Sequence, residues 1–135
     1  MINKSEVYKC SDGVVIEVLN GECACGEKQC CCHELTCCGE KMKLQKANTV
    51  DAAKEKHVPV LEECEGGVLI KVGSAPHPMT EEHSIQWVEV INGDYVNRKY
   101  LHPGNAPEAA FYVPKQKGLI VRAYCNLHGL WEARV

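Results

Sequence analysis

The 135-residue sequence has no apolar run long enough to cross a bilayer. Its opening, Met-Ile-Asn-Lys-Ser-Glu, lacks the apolar core of a secretion signal, so a soluble cytoplasmic protein is expected. Positive charge is not in excess either. With a formal net charge of −3 and no basic run or stripe, a nucleic-acid partner is not expected. There is no GxGxxG, no phosphate-binding loop, no HExxH and no internal repeat. The length allows one compact core plus a small appendage held by something other than hydrophobic burial.

What the chain has in abundance is cysteine. Eight of its 10 cysteines fall between Cys10 and Cys38, leaving only Cys64 and Cys125 beyond. A disulfide framework usually spreads its cysteines over the domain that it staples. These crowd together, as in Cys30-Cys31-Cys32 and Cys37-Cys38, where vicinal thiols are poorly placed to bridge each other. In a cytoplasmic chain such crowding reads as a thiolate metal site, because thiolates are soft donors suited to iron, zinc and clusters.

Two regions differ in texture. Residues 1–44 are rich in Cys and Gly and poor in large apolar groups. Short strands are expected at Glu6–Cys10 and Val14–Leu19, with a turn at Asn20-Gly21. So little apolar surface needs a metal to hold it. Residues 45–135 form a second domain. Asn48 or Thr49 could cap a short helix over Asp51–Lys56, which Pro59 would stop. Beyond it the pattern is β: Val68–Val72, Ile85–Ile91, Asp94–Leu101 across an Asn92-Gly93 turn, Ala109–Val113, Leu119–Tyr124 and Leu130–Val135. Short strands punctuated by Gly and Pro predict an antiparallel sandwich of about seven strands.

The second region also carries His57, His77, His83, His102 and His128. A single histidine on a β domain is more often a surface or satisfied core residue than a ligand. Their settings argue otherwise. His77 is wedged between Pro76 and Pro78, which stiffen the backbone and restrict where the ring points. His83 follows six residues later, a spacing that lets one loop return both rings to one point. Cys125-Asn126-Leu127-His128 is a Cys-x-x-His knuckle at a strand end, a common ligand pair. Leu119, Val121, Ala123 and Cys125 alternate onto one face, so the thiol is expected to point inward. Structural zinc takes four ligands and would leave one of these donors unused. Blue copper wants two His, one Cys and a weak axial Met close after the Cys segment; Gly129-Leu130-Trp131 follows His128 with no Met, though Met79 is a conceivable axial group. Four imidazoles and a thiolate suit five-coordinate iron with a vacant sixth position, and hence small-molecule chemistry.

Lys54-Glu55-Lys56-His57-Val58-Pro59, Val72–Met79 with its Ala75-Pro76-His77-Pro78 core, Glu82-His83 and Tyr124–Trp131 occur in an order that resembles the desulfoferrodoxin and neelaredoxin superoxide reductases. The resemblance runs from about Asn48 to the C-terminus. It implies an immunoglobulin-like sandwich holding one iron in a square pyramid. His57, His77, His83 and His128 would be the equatorial ligands and Cys125 the axial one. The implied activity is one-electron reduction of superoxide to hydrogen peroxide. Lys56 would attract the anion and help to position a protonating water, and Glu55 would match the family's glutamate that closes on ferric iron. Re-reduction by a rubredoxin-like carrier and a homodimeric assembly are implied too. His102 matches no ligand motif and is expected at the surface. Cys64 is read as an ordinary strand-end thiol.

The first region resembles a desulforedoxin-type domain, with an alteration. Glu6–Cys10 and Leu35–Met42 fit, but the family's second cysteine would fall at Gly13, which cannot ligate. Cys10, Cys37 and Cys38 remain as expected ligands, and the insertion Glu22–His33 offers others, Cys25 and Cys30 foremost. A mononuclear iron, an iron–sulfur cluster, a zinc ion or a lost site all remain open, with iron in some form preferred. For the whole chain the rival readings are a pure electron carrier, with a filled coordination sphere, and a colourless zinc-stabilised binding module.

Overall fold

A computed structural model describes residues 2–21, 34–51 and 56–135, and the chain divides into two units, Met1–Lys46 and Ala47–Val135. The helix expected over Asp51–Lys56 falls mostly outside the described residues.

The first unit is built from very short strands: β1 (Val7–Lys9), β2 (Val15–Glu17), β3 (Thr36–Cys37), β4 (Glu40–Lys41) and β5 (Lys43–Leu44). They form a three-stranded sheet in the order β2-β1-β5 and a separate β3-β4 hairpin. All pairings are antiparallel. Few apolar side chains are available: Val14, Leu19 and Leu44 are exposed, and among this unit's described hydrophobic residues only Val7 and Cys10 are buried. Isolated sheets this small are marginal without further support.

The second unit is an antiparallel sandwich of seven strands, as expected. A sheet ordered β10-β7-β6 contains β6 (Pro59–Cys64), β7 (Gly67–Val72) and β10 (Glu108–Phe111). The other sheet is ordered β12-β11-β8-β9, from β8 (Ile85–Asn92), β9 (Tyr95–Tyr100), β11 (Ile120–Cys125) and β12 (Gly129–Arg134). Non-consecutive neighbours β7–β10 and β8–β11 give the crossed connections of an immunoglobulin-like fold. Period-two alternation places Val68, Ile70 and Val72 of one sheet in a common core with Val88, Val90, Val121 and Ala123 of the other. The Asn92-Gly93 hairpin is present, with Gly93 at φ +58°.

One strand went unread in the sequence. Pro59–Cys64 lies at a sheet edge, mostly exposed, where proline is tolerated at a strand's first residue. Its polar Glu62-Glu63 end hides the alternation. The strand expected at Ala109–Val113 sits one to two residues earlier, leaving Tyr112 almost wholly exposed.

Beneath the four-stranded sheet's alternation lies a buried charge cluster. Glu89 on β8 is fully buried and accepts from Arg98 Nε at 2.8 Å and from Arg122 Nε at 2.5 Å, with further contacts from both guanidiniums. Two forked donors on one carboxylate satisfy its acceptor sites. Arg98 also lies over the Trp87 ring, which stacks on Tyr124.

Candidate metal centre

Each predicted donor of the second unit reaches the site by a different local device. His57 sits just before β6. Asp51 Oδ1 accepts the backbone N–H groups of His57 at 2.6 Å and Val58 at 2.8 Å. Gly73, at φ +83°, allows this segment to approach: a Cβ there would lie 2.2 Å from the Lys56 carbonyl oxygen. His77 and His83 belong to the β7–β8 loop. The Nδ1 of His77 faces the Pro78 carbonyl at 2.6 Å, which assigns Nδ1 as the protonated nitrogen and leaves Nε2 to turn inward. The backbone N–H of His83 donates to Thr80 Oγ1 at 3.1 Å, and the Thr80 N–H returns to the His83 carbonyl at 2.9 Å, closing the loop.

Cys125 ends β11, where the register against β8 shifts between Tyr124 and Cys125. That irregularity and the short turn to β12 present Cys125 and His128 together. Asn126 ties this turn to the loop carrying His83. Its Oδ1 accepts the Ser84 N–H at 3.0 Å, its Nδ2 donates to the Glu82 carbonyl at 2.9 Å, and its backbone N–H donates to the Ser84 carbonyl.

The result is one cluster. One donor atom each from His57, His77, His83, Cys125 and His128 lies within 4.8 Å of all the others. Neighbouring rings in the order His57, His77, His83, His128 are 4.5, 4.6, 4.9 and, closing the circuit, 4.7 Å apart. The diagonal from His57 to His83 is 6.2 Å. The four rings thus form a closed circuit of near-equal steps with one longer diagonal across it. The Nε2 of His57 is 3.0 Å from Nδ1 of His128, and Cys125 Sγ is 3.6 Å from the same nitrogen. Donors bound about 2.1 Å from one ion at right angles lie about 3 Å apart, so the set fits a transition metal. The buried Nε2 of His83, which has no hydrogen-bond partner among the described residues, is accounted for by such an ion. Imidazole and thiolate donors suit iron.

Burial of this centre is graded. His57, His77 and Cys125 are buried, His83 is partly so and His128 is exposed. Burial raises the Tyr124 phenol above its ordinary pKa, with the neighbouring Cys125 adding to the effect.

Lys56, immediately before His57, is half-buried, and Glu55 lies outside the described residues. His102 and Cys64 are both exposed, the latter at the end of β6. In the first unit Cys10, Cys37 and Cys38 come together: Cys37 Sγ is 3.7 Å from Cys38 Sγ and hydrogen-bonds Cys10. Burial works to raise the Cys10 thiol. Hydrogen bonds from Cys37 and from the backbone N–H groups of Val14 and Asp12 outweigh it and hold the thiol below its ordinary value. The Cys37 thiol is pushed up to about 12, chiefly by its hydrogen bonds with Cys10 and then Cys38. Cys25 and Cys30 lie outside the described residues. Gly13 occupies a turn at φ +88°, its N–H donating to the Cys10 carbonyl.

Sequence reasoning missed three supports of this centre: Asp51, Gly73 and the side chain of Asn126. Asp51 looked like a helix residue and Asn126 like a spacer inside the knuckle. Neither role has a local pattern, because each partner is distant in sequence or backbone.

Fold and centre together define a β-sandwich metalloprotein with a histidine–thiolate iron site. Comparison with known proteins specifies the family. Residues 49–134 match the desulfoferrodoxin family model. The chain is 51% identical over 135 residues to a desulfoferrodoxin of Syntrophotalea carbinolica, covering 98% of each chain. Against a desulfoferrodoxin of Desulfarculus baarsii it is 48% identical over 137 residues, again covering 98% of each. Among solved structures, the superoxide reductase from Treponema pallidum superposes with a TM-score of 0.71 at 27% identity, covering 99% of this chain and 100% of that one. The chain belongs to the desulfoferrodoxin family.

Proposed function

We propose that this chain is a superoxide reductase, adding one electron and two protons to superoxide to release hydrogen peroxide. The observation that carries the reading is the convergence of four imidazoles and one thiol, each donor within 4.8 Å of every other. Iron held there would supply the electron for superoxide. His57, His77, His83, His128 and Cys125 are the residues that would hold the iron in this reading. The chain's own residues do the rest. Lys56 brings a cationic side chain next to a ligand, attracts the anion and positions a proton donor for it. Glu55 is the carboxylate assigned to close on the oxidised site. The thiolate of Cys125 would push electron density onto a bound iron.

The test is the yield of peroxide per superoxide consumed by the iron-loaded protein with reductant in excess. One peroxide per superoxide and no oxygen supports the reductase. Half that yield with oxygen evolved means dismutation, and no acceleration leaves an electron carrier.

Three finer assignments belong to the same reading. A second iron, single or in a cluster, is held by Cys10, Cys37 and Cys38, with Cys30 or Cys25 completing the set. The convergence of the three thiols and the backbone N–H groups aimed at Cys10 support it. Iron analysis of Cys10→Ser, expected to lose iron from this site while the histidine centre keeps its own, decides the point. A rubredoxin-like protein re-reduces the enzyme in the cytoplasm. The active form is a homodimer, for which sedimentation is the direct measurement.

A further inference from the structure

Trp131 lies on β12, three residues beyond His128. Its ring lies flat against the imidazole of His57, with centroids 4.6 Å and planes 14° apart. The neighbouring histidine pairs of the centre all meet edge to face, at 67° to 80°. The indole is buried, yet its Nε1 has no hydrogen-bond partner among the described residues. A buried donor left unpaired opposes folding. What that cost leaves in place is a flat aromatic face against the His57 ring, a face that phenylalanine would largely share.

The backbone supplies a second observation. Asn48 forms a parallel bridge with Trp131: its N–H donates to the Leu130 carbonyl at 2.9 Å, and its carbonyl accepts the Glu132 N–H at 2.9 Å. The strand carrying Trp131 is therefore tied to the segment leading to His57. Three residues on, Asp51 holds the backbone of His57. One clamp acts on the backbone and the other on the ring.

We propose that Trp131 is a positioning residue that fixes the imidazole plane of His57, and with it the direction in which His57 Nε2 presents its lone pair. The inference rests on the iron-centre reading above. A ligand held in one orientation loses little freedom when the ion binds, and supports around metal-bound histidines act in this way.

The experiment compares Trp131→Phe and Trp131→Leu in the full chain, with Trp131→Met as a second non-aromatic variant should the leucine protein not fold. Three quantities are read: the rate at which iron passes to excess chelator, the midpoint potential of the centre, and the ring nitrogen line shapes of His57 in metal-free protein. The non-aromatic variants are expected to release iron about tenfold faster, to shift in potential and to show an averaged His57 ring. Trp131→Phe, which keeps a flat face, is expected to recover most of the iron retention. Val90→Ala, a core change in the same sheet, controls for stability by lowering the unfolding midpoint without altering iron release. Wild-type potential and iron release in the non-aromatic variants would overturn the proposal, as would a phenylalanine variant no better than leucine. If the wild-type chain itself holds no iron, the iron-centre reading falls. The metal-free line shapes then decide alone: a ring averaged only in the non-aromatic variants supports Trp131, and identical rings refute it.

Discussion

The two units of this chain bring cysteine side chains, joined in the second unit by histidines, to one place from opposite starting points. The second unit has a core before it has a centre. Val68, Ile70, Val88, Val90 and Val121 are fully buried, and the donors are set on loops and strand ends that this core holds in place. The first unit's described strands are two or three residues long with little to bury, so on the proposed reading a metal held by its thiols would help to hold it together. A rigid scaffold can carry a centre with an open position, because stability does not depend on filling it. A unit stapled by its own ligands tends toward a closed site.

The largest expected effect follows directly. Removing metal with a chelator under reducing conditions should leave the second unit folded and unfold the first. Structural metals in small domains contribute about 10 kcal/mol or more to folding, far beyond what strands this short can replace. Amide exchange separates the units: Tyr8, Lys9 and Ile16 are expected to lose protection, while Val88, Val90 and Val121 keep theirs. Equal protection in both units after metal removal would end the contrast.

A second test asks whether the scaffold of the second unit is as independent as its core implies. Glu89 is buried between Arg98 and Arg122, so Glu89→Gln leaves two guanidiniums facing a neutral amide. Breaking a buried pair of this kind costs about 3 kcal/mol, at the low end because Arg98 retains some access to water. Denaturant unfolding of the metal-free protein measures the loss in the second unit. A change within the error of the measurement would mean that the pairing contributes nothing net.

How much of this could be read from the sequence depends on whether a signal is local. The Pro76-His77-Pro78 wedge, the Cys125-x-x-His128 knuckle and the Asn92-Gly93 turn each carry their meaning within a few residues, and all of them lie where expected. Glu89 and Arg122 do not. On strands buried on both faces, alternation no longer separates inside from outside, and a charge in such a strand looks like a solvent-facing residue until its partner 33 residues away is seen. Pro59–Cys64 was passed over for a related reason: an edge strand exposes most of its side chains, so its pattern resembles a loop. Asn126 and Asp51 work through backbone groups, whose positions no residue pattern reveals.

The smallest effect sharpens the comparison from the side of the first unit, where surface polar contacts stand in for a core. Glu6 accepts from the Asn3 side chain at 2.8 Å, from the Asn3 backbone N–H at 2.9 Å and from the Tyr8 hydroxyl at 2.8 Å. The Asn3 side chain is the main cause that holds the Glu6 carboxyl below its ordinary value of 4.5, and the Tyr8 phenol is raised in turn. A depressed carboxyl stabilises the folded state fully above its unfolded pKa, and the contribution fades as pH falls through the lower, folded value. Wild type is therefore expected to exceed Glu6→Gln in thermal stability from neutral pH down to about 5, the gap closing progressively below pH 4.5. The group is only partly buried, so the gap should be small and should shrink with added salt. Melting of the metal-loaded protein at several pH values, followed through the first unit's thiolate absorption, makes the measurement. A gap independent of pH would place the effect of Glu6 in packing rather than in its charge.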